Sequence, residues 1–174
     1  MPIKGDALLN KLILLFVFDK MEVPISESTI FEMCCSANDW ISPMDCNPTI
    51  SQLLETSFIC KITDTNNPLY SITADGRVCL ADFFVNIPSS TREKISQFVK
   101  ANRTRYRKKQ EFVADYFMNK DRTYTVLLRI LEQTGVQLEL KFVVPNKQIA
   151  NNIYKKWPDK AETAYTTIYE TLVD

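Results

Sequence analysis

The sequence of 174 residues contains no histidine and only three glycines, Gly5, Gly76 and Gly135. Without histidine the chain has no Ser-His-Asp triad, no HExxH zinc site and no imidazole acid–base catalyst. Three widely separated glycines cannot form a G-x-G-x-x-G dinucleotide loop or a phosphate-binding P-loop. We therefore expect a protein that is not an enzyme and that binds no metal and no cofactor.

Long hydrophobic runs are also missing. The longest, Leu12–Phe18 and Phe142–Val144, fall far below the roughly 18 residues of a membrane span. The opening segment Met1–Lys4 lacks a small-residue cleavage site, so the run behind it is expected to be a buried helix and not a signal peptide. We expect a cytoplasmic protein with no membrane partner.

The five cysteines are an odd number and all lie in the first half of the chain: Cys34, Cys35, Cys46, Cys60 and Cys79. Without a secretion signal, this pattern argues against a disulfide framework and favours a reducing compartment. We expect small buried hydrophobic side chains, with a metal or redox site as the alternative.

Charge is balanced overall, with 21 basic and 21 acidic residues, but it is divided along the chain. Residues 1–84 hold five basic and eleven acidic residues, a net charge of −6, which leaves +6 for residues 85–174. Residues 21–60 contain six acids and no Lys or Arg, whereas eight of the nine charges between Arg92 and Lys109 are positive. This asymmetry indicates an anionic partner or attraction between the two halves.

Hydrophobic periodicity and capping residues predict four helices and two strands in residues 1–84. The helices are predicted over residues 6–20, 27–36, 47–56 and 74–84, and the strands are Phe58–Thr63 and Pro68–Thr73. Ser26 or Ser28 is expected to cap the second helix, Asn47 with Pro48 the third, and Thr73 the fourth. This order is typical of a winged helix-turn-helix domain, with residues 47–56 as recognition helix and residues 64–68 as the tip of the wing.

Residues 85–174 are predicted to form a second domain for dimerisation or sensing. Ser90 and Glu93 fit a capping box, and no Gly or Pro follows before Asn119, so one long linker helix is expected. Its apolar stripe would support a homodimer or pack against its own chain. Alternation then predicts a two-stranded antiparallel hairpin, residues 124–130 with 136–144, covered by two helices that begin near Pro145 and Asp159. The expected fold class is α+β.

Short motifs in a fixed order resemble one family over essentially the whole chain. They are Asn10–Leu14, Ile50–Glu55, Tyr70–Thr73, Ile87-Pro88, Ala114–Tyr116, Val144-Pro145 and Lys156-Trp157. The sequence resembles an uncharacterised bacterial family, a domain of unknown function regarded as winged-helix DNA-binding proteins. The resemblance implies a transcriptional regulator whose operator and signal are unknown. Pro48 departs from the family pattern, so the recognition helix is expected to start later here or to kink.

Three groups of residues are candidate contacts to double-stranded DNA. The recognition helix offers amides and hydroxyls that can meet base edges, the wing offers groups for the sugar–phosphate backbone, and the long helix offers a basic stripe. In that order they are Asn47, Thr49, Ser51 and Gln52; Lys61, Asn66 and Asn67; and Lys100, Arg103 and Arg107. The basic stripe could instead pair with the acidic first half or lie in solvent.

Two functions remain open at this stage. The first is a homodimeric transcriptional regulator that binds double-stranded DNA, with a C-terminal domain for dimerisation or sensing; the sequence does not tell whether a small-molecule effector is sensed. The alternative is a protein-interaction module that uses its acidic N-terminal face without binding DNA, because a fold does not fix a function. The alternative is supported by the absence of Lys and Arg from residues 21–60, since these side chains supply most non-specific affinity for DNA.

Overall fold

The computed structural model of the protein describes residues 6–62, 68–132 and 135–173. The chain divides into two compact units, residues 1–104 and residues 105–174. The division falls inside a long helix, whereas the sequence placed a domain boundary at residue 84. Aromatic and ionic contacts of the first part of that helix explain the difference, because Phe98 packs edge-on against Trp40 and Arg103 pairs with Glu22.

The N-terminal unit is mainly helical and contains one small antiparallel sheet. Its elements are α1 (Ala7–Met21), β1 (Ile25–Ser26), α2 (Glu27–Phe31) with a π turn (Glu32–Ser36), α3 (Pro43–Glu55), β2 (Ile59–Lys61), β3 (Leu69–Ile72), α4 (Ala74–Phe83) with a 3₁₀ turn (Phe84–Asn86), and α5 (Ser89–Glu111). The strand order is β1-β3-β2, with Ile25 opposite Tyr70 and Ile59 opposite Ile72.

Helix α1 forms the centre of this unit. All seven residues of Leu12–Phe18 are buried, so the helix is enclosed on every side, as its apolar sequence predicts. Helices α3 and α4 and strand β3 pack against it. In the part of the chain that the structure describes, no helix combines the length and the apolar character needed to cross a bilayer.

Side-chain caps fix where the short helices begin. Ser26 accepts the N–H of Thr29 at 3.2 Å at the start of α2, and Thr73 accepts the N–H of Gly76 at 3.1 Å at the start of α4. Both caps confirm the sequence predictions. The Thr73 hydroxyl also donates to the carbonyl of Ser57 at 2.6 Å, which ties α4 to the segment before β2.

Gly76 lies where α4 approaches the backbone before β2 most closely. A Cβ atom at this position would overlap the carbonyl oxygen of Phe58 and would also meet the side chain of Ile72 at 2.9 Å. The carbonyl belongs to the main chain and cannot rotate away as a flexible side chain would. Glycine is therefore required here by space and not by backbone angle.

The C-terminal unit is a three-stranded sheet with one long helix on its inner face. After the end of α5 it contains β4 (Phe112–Met118), β5 (Tyr124–Glu132), β6 (Gly135–Val144) and α6 (Lys147–Val173), with antiparallel strands in the order β4-β5-β6. The core between sheet and helix consists of Phe112, Val126, Leu128, Ile130, Val144, Ala150, Trp157 and Ala161. A bulge lies in β6 at Gln137, because Ile130 faces Leu138 and Leu131 faces Val136.

The chain is α+β, but the architecture predicted for it is wrong, because the sheet of the C-terminal unit has three strands and not two and because a single helix covers it. The predicted long helix ends at Glu111, and Phe112–Met118 forms β4 in its place. This segment is rich in aromatic residues and pairs with β5 along its whole length, so tertiary pairing outweighs helical periodicity. The predicted winged helix-turn-helix for residues 1–84 is also corrected: the N-terminal unit is a helical body with three very short strands, and its sheet includes the unpredicted strand β1.

Two prolines lie inside helices that were expected to begin or end at them. Helix α3 begins at Pro43 and not at Asn47, because Ser42 caps it, and Pro48 lies in its interior. Helix α6 passes through Pro158 without a break. Burial of the adjacent Trp157, whose indole N–H donates to the carbonyl of Arg129 at 3.1 Å, holds both halves of α6 on the sheet.

We expect Gly76→Ala to destabilise the N-terminal unit. Overpacking costs about 1–3 kcal/mol, which exceeds the gain of roughly 1 kcal/mol from replacing glycine by alanine inside a helix. The measurement is urea unfolding followed by circular dichroism. Asp82→Ala, at an exposed position of the same helix, is the control and should change stability by less than about 0.5 kcal/mol. A midpoint for Gly76→Ala equal to or above wild type would contradict the close approach of α4 to Phe58.

Candidate nucleic-acid interface

The connection between α2 and α3 is held by two neighbouring carbonyls of the π turn. Amides of Trp40 and Ile41 both donate to the carbonyl of Cys34, at 3.0 and 3.2 Å, and Asn38 donates to the carbonyl of Met33 at 2.9 Å. Cys34 and Met33 lie in the π turn that ends the second helix, where the widened ladder leaves carbonyls available. The direction in which α3 leaves this loop is therefore set by main-chain hydrogen bonds.

The start of α3 is fixed by a reciprocal cap. The N–H of Asp45 donates to the hydroxyl of Ser42 at 3.3 Å, and that hydroxyl donates to the carboxylate of Asp45 at 3.0 Å. The carboxylate also lies in the first turn, where the helix dipole favours negative charge. Asp45 thus has a structural role as part of the cap. It also adds a negative charge at the N-terminal end of α3, next to the residues that are predicted to contact DNA.

Helix α3 has one buried and one exposed side. Cys46, Thr49, Ile50 and Leu53 follow the i, i+3, i+4, i+7 spacing and are buried. Three of the predicted base-reading residues, Asn47, Ser51 and Gln52, are exposed on the other side. The fourth, Thr49, is only 5% exposed, and its hydroxyl donates to the carbonyl of Asp45 at 2.6 Å. The exposed stripe of Asn47, Ser51 and Gln52 is called the α3 polar stripe below.

The predicted wing contributes less that can be described. Lys61 is exposed at the end of β2. Asn66 and Asn67 lie outside the described residues. The exposed residues Met44 and Pro48 border the α3 polar stripe on the same side of the helix.

The three residues of the predicted basic stripe all lie on α5, but they differ in their ion-pair partners. Arg103 forms an ion pair with Glu22 at 3.0 Å, and Arg107 forms one with Glu111 at 2.8 Å. The bond to Glu111 raises the pKa of the Arg107 guanidinium further. Lys100 is exposed and forms no ion pair within the described residues. Lys100 and Arg103 belong to the N-terminal unit, whereas Arg107 belongs to the C-terminal unit.

The ion pairs lower the positive charge that the N-terminal unit offers to an anion. Residues 1–104 contain nine basic and twelve acidic residues, a net charge of −3. Two of the nine bases, Arg77 and Arg103, are paired with Asp19 and Glu22. The predicted attraction between the basic stripe and the acidic first half is thus realised at Arg103, while Lys100 remains available for phosphate.

Sequence reasoning did not find a cluster of thiols between α2 and α3. Cys34, Cys35 and Cys46 are all buried, and a hydrogen bond joins the thiols of Cys35 and Cys46. Burial and the neighbouring thiols raise the pKa of Cys46 from the ordinary value of 9.0 to about 12. Burial likewise raises the pKa of Cys34. The described residues contain no group of three or more His, Cys, Asp or Glu side chains that could hold a metal ion.

Because these thiols are protonated in the folded chain, the stability of this unit is expected to fall at alkaline pH. Because the pKa of Cys46 is higher in the folded than in the unfolded chain, its stabilising contribution is complete below pH 9.0 and is lost as the pH rises towards about 12. We expect the free energy of unfolding to fall in that range by up to about 1.4 kcal/mol per pH unit from this group. Urea unfolding at a series of pH values measures the slope.

Cys46→Ala should flatten this dependence, although it lowers stability at every pH by opening a small cavity. Cys60→Ala removes an exposed thiol and should keep the wild-type slope. Equal slopes in wild type and Cys46→Ala would show that Cys46 does not contribute.

Comparisons with known proteins add a family and no more. No curated protein matches the chain, and no solved structure matches it. A family model described as "Domain of unknown function (DUF4364)" matches residues 10–172. The match spans both compact units.

Proposed function

Because the chain belongs to the DUF4364 family, whose description names no activity, we propose its function from its own surface: it is a homodimeric regulator that binds double-stranded DNA through α3. The α3 polar stripe carries this proposal. Asn47, Ser51 and Gln52 are exposed together on a helix whose opposite side is buried and whose entry is fixed by main-chain bonds. The major groove admits a helix, and DNA-binding helices contact base edges with polar side chains of this kind.

The chemistry of the α3 polar stripe suits base recognition. The side-chain amides of Asn47 and Gln52 can each bind adenine through two hydrogen bonds. The amide N–H donates to N7, and the amide oxygen accepts from the N6 amino group. Ser51 lies one turn after Asn47 and offers a hydroxyl that can donate to a base or a phosphate. None of these three side chains needs to break an ion pair before it can meet DNA. The expected site is therefore rich in adenine contacts.

Phosphate binding is expected to be limited. Lys100 is an exposed base of the N-terminal unit, whereas Arg103 already pairs with Glu22. Each neutralised phosphate steepens the salt dependence by about 0.9 in a plot of log K against log salt. A shallow slope and weak non-specific binding follow, so most of the affinity for an operator would come from base contacts.

A second candidate function is favoured by the acids around the same helix pair. Glu27, Asp39 and Glu55 are exposed on α2, on the connecting loop and on α3, and the N-terminal unit has a net charge of −3. Such a surface would attract a basic segment of another protein by electrostatic complementarity. DNA would be repelled by the same charges.

Selection from random-sequence duplex DNA at two salt concentrations tests the first candidate. We expect an enriched motif with two related half-sites. The double variant Asn47→Ala/Gln52→Ala should then bind the selected duplex with a loss of about 1–3 kcal/mol for each amide, while binding to unrelated duplex stays unchanged. Lys100→Ala should weaken binding to both duplexes equally and reduce the slope of log K against log salt by about one.

The matched control is Asn86→Ala/Gln97→Ala, which removes the same two amides from exposed positions outside α3. It should bind like wild type. An equal loss of affinity for the selected duplex in both double variants would contradict base recognition by the α3 polar stripe. Absence of any enriched motif at low salt would leave the basic protein partner as the better candidate, and retention of the protein on an immobilised lysine-rich peptide would then test it.

A further inference from the structure

The sheet of the C-terminal unit has two edges that differ in how their backbone groups are occupied. Strands β4 and β6 each pair with β5 on one side only. The free side of such a strand presents alternate N–H and C=O groups that can pair with another strand. What covers each edge therefore decides whether the sheet can be extended.

A side chain occupies one amide in the middle of the β4 edge. The N–H of Tyr116 donates to the carboxylate of Asp115 at 2.8 Å, so this amide points away from β5. Residues of an antiparallel ladder alternate between those that bond to the neighbouring strand and those that point away from it. The main-chain groups of Asp115 consequently bond to Leu127 of β5. Its side-chain carboxylate binds the amide of the next residue, Tyr116, on the free side of β4.

The same alternation fixes the free side of β6. Tyr116 faces Val126, so the main-chain groups of Val126 point towards β6 and bond to Phe142, its partner there. Leu140 also bonds to β5, whereas the N–H and C=O groups of Glu139 and Lys141 point outwards. Within the described residues no side chain binds these outward groups. The middle of the β6 edge is therefore open, whereas one amide in the middle of the β4 edge is occupied.

The inner side of β6 is also incompletely covered. Leu138, Leu140 and Phe142 alternate on the face that carries α6. Helix α6 packs mainly against β4 and β5 and less against β6, and Phe142 remains 40% exposed. Apolar surface of this kind gains from further burial.

We propose that β6 pairs antiparallel with β6 of a second copy of this chain, about a two-fold axis at Leu140. This register places Glu139 opposite Lys141 of the partner subunit and Lys141 opposite the partner subunit's Glu139. These are the residues whose main-chain groups point outwards, so each opposed pair exchanges two backbone hydrogen bonds. Glu139 also pairs with Arg129 of its own β5 at 2.8 Å, so Lys141 of the partner subunit would join an existing ion pair. The strand is thus complementary to itself in charge and in hydrogen bonding, which identifies a second copy as the occupant.

The same register matches the two faces. Leu138 lies opposite the partner subunit's Phe142, and Leu140 lies opposite its own copy, so the uncovered apolar residues meet between the two α6 helices. In this register even-numbered residues lie opposite even-numbered residues, so the inner faces of the two copies lie on the same side of the joined sheet. Because each copy brings its own bulge at Gln137, the bulges limit the pairing at both ends. The result is one sheet of six strands.

This interface rests on the homodimer of the proposed function, and it names the surface that forms the dimer. Lys141→Glu tests it, because the substitution places a second glutamate opposite Glu139 at two equivalent places. Lys141 forms no ion pair among the described residues, so the fold should be unaffected. Sedimentation equilibrium should show dimerisation weakened by about tenfold or more. Lys155→Glu, an equal change of charge at an exposed site of α6, should leave it unchanged.

Mixing two variants gives the sharper test. Glu139→Lys alone opposes lysines, and Lys141→Glu alone opposes glutamates, but a heterodimer of the two restores opposite charges at both places. We expect weak self-association of each variant and strong association of the mixture. A mixture no stronger than its components would overturn the register. Wild-type protein that stays monomeric over the whole concentration range would overturn the interface.

Lys141→Pro provides a test that does not depend on charge. Its missing N–H faces away from β5, a position where an edge strand tolerates proline, so the sheet is kept and the outward donor is lost. Lys141→Ala keeps that donor and serves as control. Dimerisation should be lost in Lys141→Pro and largely kept in Lys141→Ala, with circular dichroism confirming that both are folded. Equal dimerisation of the two would contradict strand pairing.

DNA selection separates this inference from the function on which it rests. A monomer that still enriches a DNA motif overturns the β6 interface and leaves the α3 assignment standing. A charge-dependent dimer that enriches no motif supports the interface and removes the DNA-binding function.

Discussion

Enclosure of helix α1 is the constraint on which the N-terminal unit depends. No residue of Leu12–Phe18 is more than marginally exposed to water, and each large side chain buried there contributes about 1.5–3 kcal/mol. Helices α3 and α4 and strand β3 must therefore turn their own apolar sides towards α1. The polar residues of α3 have nowhere to lie except outside. Display of Asn47, Ser51 and Gln52 thus follows from the way the core is filled.

Elements whose ends depend on one local residue could be predicted from the sequence. Ser26 and Thr73 accept the hydrogen bonds that capping rules assign to them. The end of α5 at Glu111 could not be predicted in this way, because Phe112–Met118 has no glycine or proline and its apolar residues fit both a helical stripe and strand alternation. Pairing with β5, which lies later in the chain, decides between the two.

The candidate site was predictable in composition but not in accessibility. Helical spacing identified the residues of α3, yet only the structure shows that Thr49 turns inward and bonds to Asp45. Counting charges identified a basic stripe, yet whether a base is available depends on its neighbours in space. Arg103 illustrates this, because Glu22 lies 81 positions earlier in the chain and neutralises it across the fold. Long-range pairing of this kind leaves no periodic signal in a single sequence.

The unequal edges of the C-terminal sheet also determine how far an assembly of this chain can grow. A sheet with two open edges can add copies without limit and form a fibre. If two β6 strands pair as proposed, both outer edges of the joined sheet are β4 strands, and each carries an Asp115 carboxylate on the Tyr116 amide. A strand added to either outer edge would have to displace that carboxylate. The proposed pairing therefore favours two copies over a growing fibre.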